Sequence, residues 1–150
     1  LRPAPCLELR REPGGERLAC FPAAEGQAFT LWFLHSYDRA FFAEHYRLEP
    51  EGRILLTHMT FKSNLNGGGF EYSDFHLRPD GVGELRNINE PRARVRFMQG
   101  SPDLANHTLI LAGRRLPLVR FARPGDLVYL QPALAPRWRS WWGWLAGNEG

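Results

Sequence analysis

Short runs of alternating apolar and polar residues, each closed by Gly, Pro, Asp or Asn, set the texture of this chain. A period of two is the mark of antiparallel β-structure. Leu7-Glu8-Leu9-Arg10 and Glu16-Arg17-Leu18-Ala19 flank Pro13-Gly14-Gly15 and read as a hairpin. Phe29, Leu31 and Phe33 interleave with Thr30, Trp32 and Leu34, so both faces are apolar and a central, doubly covered strand is expected. From Phe42 to Leu48, a strand places Phe42, Glu44, Tyr46 and Leu48 on one face, while a helix would align Phe41, Glu44, His45 and Leu48. Periodicity alone does not decide over so few residues.

Glu49-Pro50-Glu51-Gly52 turns the chain into Ile54 to Lys62, with Leu55, Thr57, Met59 and Phe61 on one face. Asn64 to Gly69 ends in three glycines and reads as a mobile loop, either inert or part of a binding rim. Phe75-His76-Leu77 precedes a Pro79-Asp80-Gly81 turn. In Arg92 to Phe97, Ala93, Val95 and Phe97 are expected inward and Arg92, Arg94 and Arg96 outward. A second hairpin pairs His107–Leu111 with Leu116–Leu118 around Gly113, and Leu127 to Gln131 follows a Pro124-Gly125-Asp126 turn. The pattern predicts an all-β fold, an antiparallel sandwich or barrel of roughly eight to ten strands. It spans residues 1–131 as one domain, with a tryptophan-rich tail over 132–150.

Composition narrows this picture. At 150 residues, 43% apolar and 23% charged, the chain has material for one core. The net charge is +3, Lys62 is the only lysine, and acids are interspersed among the arginines. No basic stripe or nucleic-acid motif appears, so nucleic acid is not an expected partner. No run approaches the roughly 20 apolar residues of a membrane span. Leu1 at the start is what removal of a secretory leader leaves, and equally what trimming for expression leaves. Cys6 and Cys20 come opposite each other if the first hairpin folds about Gly14, which points to a disulfide and an oxidising compartment. Two separately buried thiols are the alternative.

Candidate chemistry is sparse. If Phe33 pairs with Tyr46, His35 falls opposite Glu44, and His35, Ser36, Glu44 and Tyr46 gather at one end of the sheet as a ligand or cation site. The same pair also reads as a satisfied polar contact holding the loop of Tyr37 to Ala43. A hydrolase is disfavoured, because Ser36 and His35 point to opposite faces and no nucleophile elbow is present. His35, His45, His58, His76 and His107 show no metal-ligand spacing, so neither a metal nor any other cofactor is expected.

The tail is the least ordinary feature. Trp138, Trp141, Trp142 and Trp144 follow Pro136; with Pro136 as first helical residue, Trp138, Trp141, Trp142 and Leu145 share a face flanked by Arg137 and Arg139. Tryptophan beside arginine suits a membrane interface or a partner's pocket. A tail folded back on its own domain is the other possibility.

Phe29-Thr30-Leu31-Trp32-Phe33-Leu34-His35-Ser36, followed by Glu44-His45-Tyr46-Arg47-Leu48, resembles the uncharacterised bacterial family called domain of unknown function 1850. Leu55-Leu56-Thr57-His58, Phe61-Lys62-Ser63, Gly67 to Gly69, His107-Thr108-Leu109, Gly113 to Leu118 and Pro124-Gly125-Asp126 extend the likeness over about residues 5–131. Leu34 and His58 depart from it, standing where Thr and Glu are usual. Genes of that family often neighbour TRAP transporters of the TAXI type. The resemblance therefore implies a periplasmic accessory domain on the inner membrane, with a transporter permease or its solute receptor as partner. A non-enzymatic docking domain is the expected function, and a small-ligand module using His35, Glu44 and Tyr46 is the alternative.

Overall fold

The computed structural model describes residues 3–35, 40–62 and 74–136. These form two antiparallel sheets. The smaller sheet holds β1 (Pro3–Glu12), β2 (Arg17–Pro22), β9 (Val95–Met98) and β12 (Leu127–Pro136) in the order β2-β1-β12-β9. The larger contains β3 (Ala28–Leu34), β4 (Phe41–Glu49), β5 (Arg53–Phe61), β6 (Phe75–Leu77), β7 (Gly83–Leu85), β10 (Thr108–Leu111) and β11 (Arg114–Pro117) in the order β11-β10-β3-β4-β5-β7-β6. There β8 (Glu90–Arg92) pairs with β5 beside β7. The result is a sandwich with 12 strands among the described residues, rather than eight to ten.

Alternation explains which residues meet between the sheets. Leu7, Leu9, Phe21, Val128 and Leu130 from the small sheet face Phe29, Leu31, Tyr46, Leu48, Ile54, Leu56, Leu109 and Leu111 from the large one, all buried. Each such aliphatic or aromatic side chain contributes about 1.5–3 kcal/mol by leaving water. Leu118 and Ala122 close the core from the connection to β12, where Phe121 packs edge-to-face on Phe21 at 5.3 Å.

The 42–48 run is strand, not helix, and β3 lies between β10 and β4 as a central strand must. Its Phe29 and Leu31 are fully buried, whereas Thr30, Trp32 and Leu34 on the opposite face are half-buried. In β5 the expected face is wrong for its first half. A β-bulge at Thr57 lets Ile54 and Leu56 point inward together with Met59 and Phe61. The extra residue switches the phase of the alternation. The arginine row is likewise divided: Arg92 belongs to β8 in the large sheet, Arg96 to β9 in the small one, and Ala93 at the crossover is exposed.

The second hairpin turns at Ala112-Gly113, both at positive φ (52° and 75°), the backbone a two-residue hairpin loop requires. Strand β12 runs to Pro136, five residues past the expected boundary, and pairs with β1 as far as Pro3. Pro136 is therefore a strand residue and not the first of a helix.

The first hairpin carries the Cys6–Cys20 disulfide, with Cα atoms 5.9 Å apart. The cysteines are not directly opposite: Cys6 pairs with Pro22 and Cys20 with Glu8, so the bridge crosses the ladder diagonally.

Candidate functional site

The expected His35–Glu44 pair does not form, because β3 and β4 pair in another register. Phe33 lies opposite Phe42, Leu31 opposite Glu44 and Phe29 opposite Tyr46. The His35 N–H donates to the Ala40 carbonyl at 2.7 Å, so the ladder continues past Leu34–Phe41 towards a short loop. This register brings Phe41 and Phe42 into the sheet instead of leaving them in a long connection, and stacks Phe33 on Phe42 at 5.8 Å. His35 tilts against Phe42 at 5.6 Å. Ser36 lies outside the described residues, as does the Asn64–Gly69 loop.

Glu44 and Tyr46 do come together, since residues two apart on a strand share a face. The Tyr46 hydroxyl donates to Glu44 Oε1 at 3.1 Å, and its ring stacks on Phe29 at 5.2 Å. Burial raises the Glu44 carboxyl above the usual carboxylate range, and burial together with the neighbouring carboxylate pushes the Tyr46 phenol up. A carboxyl on the inward face of a sandwich is costly unless bonded. The pair is therefore a polar contact at the margin of the core, separate from His35.

Two polar groupings escaped the sequence reading. On the outer face of the large sheet, His45 lies opposite both Thr30 and His58. Its Nδ1 meets the Thr30 hydroxyl at 2.9 Å and its Nε2 the Thr60 hydroxyl at 2.8 Å, while the two imidazoles stack at 4.2 Å. The bulged Thr57 donates to the His45 carbonyl at 3.1 Å and also contacts His58 Nδ1 at 2.8 Å. Burial lowers His45 to about 4, with the charges of His58 and Arg78 acting in the same direction, and burial also lowers His58. An open groove of about 340 Å³ runs along Thr30, His45, Arg47, Thr57 and His58. Both nitrogens of His45 are already engaged, so this ladder serves as a hydrogen-bonded sheet face more readily than as a base.

The second grouping surrounds Glu8, buried on the outward face of the small sheet. Arg10 Nε and Arg17 Nε each lie 2.8 Å from its carboxylate, and the Gln131 amide donates at 2.6 Å. Burial pushes Glu8 up, but these bonds outweigh it and hold the carboxyl below its ordinary value. In sequence Glu8 is only the polar position between Leu7 and Leu9.

Where β12 runs towards Pro136, residues of both sheets border a common opening. A cavity of about 410 Å³ opens there between Pro5, Ala23, Leu48, Pro132 and Leu134, with Glu25, Glu49 and Glu51 among its walls. Leu134 is 64% exposed in this mouth, a large apolar side chain left in water. Arg137, Trp138, Arg139, Trp141, Trp142, Trp144 and Leu145 follow directly in the sequence but lie outside the described residues.

The arginine face is partly spoken for. Arg96 pairs with Glu12 at 2.8 Å, and Arg94 lies over the Tyr129 ring at 4.5 Å. Asp74 receives the Asn87 amide and faces His76 at 3.4 Å. Among the described residues no three His, Cys, Asp or Glu side chains gather as a metal site, and no helix is long and apolar enough to cross a membrane.

Two antiparallel sheets around one core, with a disulfide across the β1–β2 hairpin of the smaller sheet and a cavity at one end, define a small β-sandwich domain. The chain belongs to the family described as Domain of unknown function (DUF1850), whose model matches residues 29–118. That span runs from β3 through the β10–β11 hairpin and omits most of the small sheet. No curated protein and no solved structure matches the chain.

Proposed function

We propose that this chain is a non-enzymatic, extracytoplasmic docking domain that binds a membrane protein complex through the open end of its sandwich and the tail that follows. The observation carrying this reading is the mouth at Leu134: an apolar floor, exposed, at the point where the arginine- and tryptophan-bearing segment begins. Exposed apolar surface next to large aromatics is the usual chemistry of a contact surface. The Cys6–Cys20 bridge fits an oxidising compartment such as the periplasm. The family resemblance adds a TRAP-type permease or its solute receptor as partner. Sedimentation with native inner membranes tests the reading. The full chain should pellet with them, and a chain ending at Pro136 or one carrying Leu134→Glu should remain in the supernatant. Equal pelleting of all three would refute it.

A second reading rests on Glu44. Glu44 is partly exposed, and its carboxyl, held by the Tyr46 hydroxyl, is the group that a hydrogen-bonding ligand or a cation would meet there. Thermal-shift screening with divalent cations and small carboxylates, repeated on Glu44→Gln, tests it. A shift in the parent chain that disappears in the variant supports ligand binding, and no shift in either counts against it.

A further inference from the structure

The mouth at Leu134 has a charge opposite to that of the molecule. The chain as a whole carries +3, yet the described residues walling this cavity include Glu25, Glu49 and Glu51 and no Lys, Arg or His. Glu49 shares its carboxylate with Arg47 at 2.9 Å. Among the described residues, Glu25 and Glu51 make no ion pair. Arg17 also reaches the rim, where it donates to the Leu134 carbonyl at 3.3 Å. The remaining walls are flat and apolar: Pro5 and Pro132 on adjacent strands, Leu48 from the large sheet, and Leu134.

We propose that this mouth receives an arginine side chain, presented with a neighbouring aliphatic residue, from a segment of the partner polypeptide. A guanidinium is planar and weakly hydrated, lies well on apolar surfaces, and can offer donors to several carboxylates at once, whereas an ammonium is a compact, strongly hydrated charge. The apolar floor takes the aliphatic stem and its neighbour, and the glutamates take the head group. The inference relies on the docking reading above only for the source of the segment; the site itself stands on the cavity and its charge.

The test uses the full ¹⁵N-labelled chain and three blocked peptides: acetyl-Leu-Arg-Leu-amide, its citrulline analogue, which keeps the shape and removes the charge, and its glutamate analogue. The arginine peptide should move the amide signals of Ala23, Leu48, Gly52, Ala133 and Leu134. The citrulline analogue should bind roughly fivefold more weakly, as expected for losing ion pairs at a partly exposed rim, and the glutamate analogue should not bind. Glu25→Gln with Glu51→Gln should reduce the arginine preference by a similar factor, and Leu134→Ser should weaken both binding peptides. All of these positions are at the rim, so an unchanged spectrum elsewhere verifies folding. Equal binding of the arginine and citrulline peptides, or shifts confined to other surfaces, would overturn the proposal.

A further variant, Arg137→Ser with Arg139→Ser, addresses the chain's own arginines as occupant. If it binds the peptide markedly more tightly than the parent chain, the tail fills the mouth and the partner assignment is wrong. Peptide binding at the mouth combined with no pelleting on membranes would retain the site and refute the docking reading. Pelleting without peptide selectivity would do the reverse.

Discussion

Acidification should weaken this fold through His107. The ring lies between Phe33 of the large sheet, at 5.2 Å, and Phe97 of the small sheet, at 4.7 Å, and is only 8% exposed. Its Nδ1 accepts the Gly100 N–H at 3.1 Å, which requires that nitrogen to be unprotonated. Burial lowers its pKa from 6.5 to about 4. The unfolded chain therefore binds a proton near pH 6.5 that the folded chain refuses until about pH 4. The contribution is complete above the unfolded value and is lost as pH falls through the folded one. At 1.36 kcal/mol per pKa unit the total is about 3 kcal/mol.

His45 acts in the same direction with a smaller effect, since its ring is partly exposed, while the raised carboxyl of Glu44 opposes both. The measurement is consequently a difference: urea unfolding of the parent chain and of His107→Gln, whose amide oxygen can still accept from Gly100, at several values between pH 7 and pH 4. The parent should lose about 3 kcal/mol more than the variant over that range. Parallel pH profiles, or an NMR titration of His107 with its midpoint near 6.5, would refute the argument.

Other expectations follow from packing and pairing. Reducing Cys6–Cys20, which closes a loop with a sequence separation of 14, should lower stability by about 3 kcal/mol in chemical denaturation, and an unchanged midpoint would show that the unfolded hairpin gains little freedom. Glu8→Ala removes a buried acceptor from Arg10, Arg17 and Gln131, while the partly exposed guanidiniums keep the Gly15 and Leu134 carbonyls as partners, and should cost about 1–3 kcal/mol; a loss below about 0.5 kcal/mol would mean the cluster behaves as a solvated surface pair. Gly83→Ala would place a methyl group 2.8 Å from the Phe61 ring, so a loss of about 1–3 kcal/mol is expected by calorimetry.

The two-residue rhythm made the strands legible, and Gly113, Pro50-Glu51-Gly52 and the Pro13-Gly14-Gly15 turn marked where the chain reverses. Register was another matter. Sliding β4 along β3 keeps alternation intact, so nothing in the pattern distinguished Phe33 opposite Tyr46 from Phe33 opposite Phe42; hairpin closure at His35–Ala40 decides it. The Thr57 bulge had no signal at all, because an inserted residue leaves local composition unchanged. The His45–His58 stack depends on that bulge and was hidden with it. Glu44 and Tyr46 were found as neighbours because they are two residues apart on one strand, a relation independent of register. The Leu134 mouth was missed for a plainer reason: Pro132 and Pro136 made the end of β12 look like the start of the tail.

The docking claim is tested most directly by photocrosslinking in native membranes. A photoreactive residue replaces Leu134 in one chain and, in another, Leu104, which is 58% exposed beside the β3 end, where the Leu34 N–H donates to the Ala105 carbonyl, away from the mouth. The account predicts a discrete adduct with an integral membrane protein from position 134 and none from position 104. No adduct at 134, or the same adducts from both positions, would contradict it.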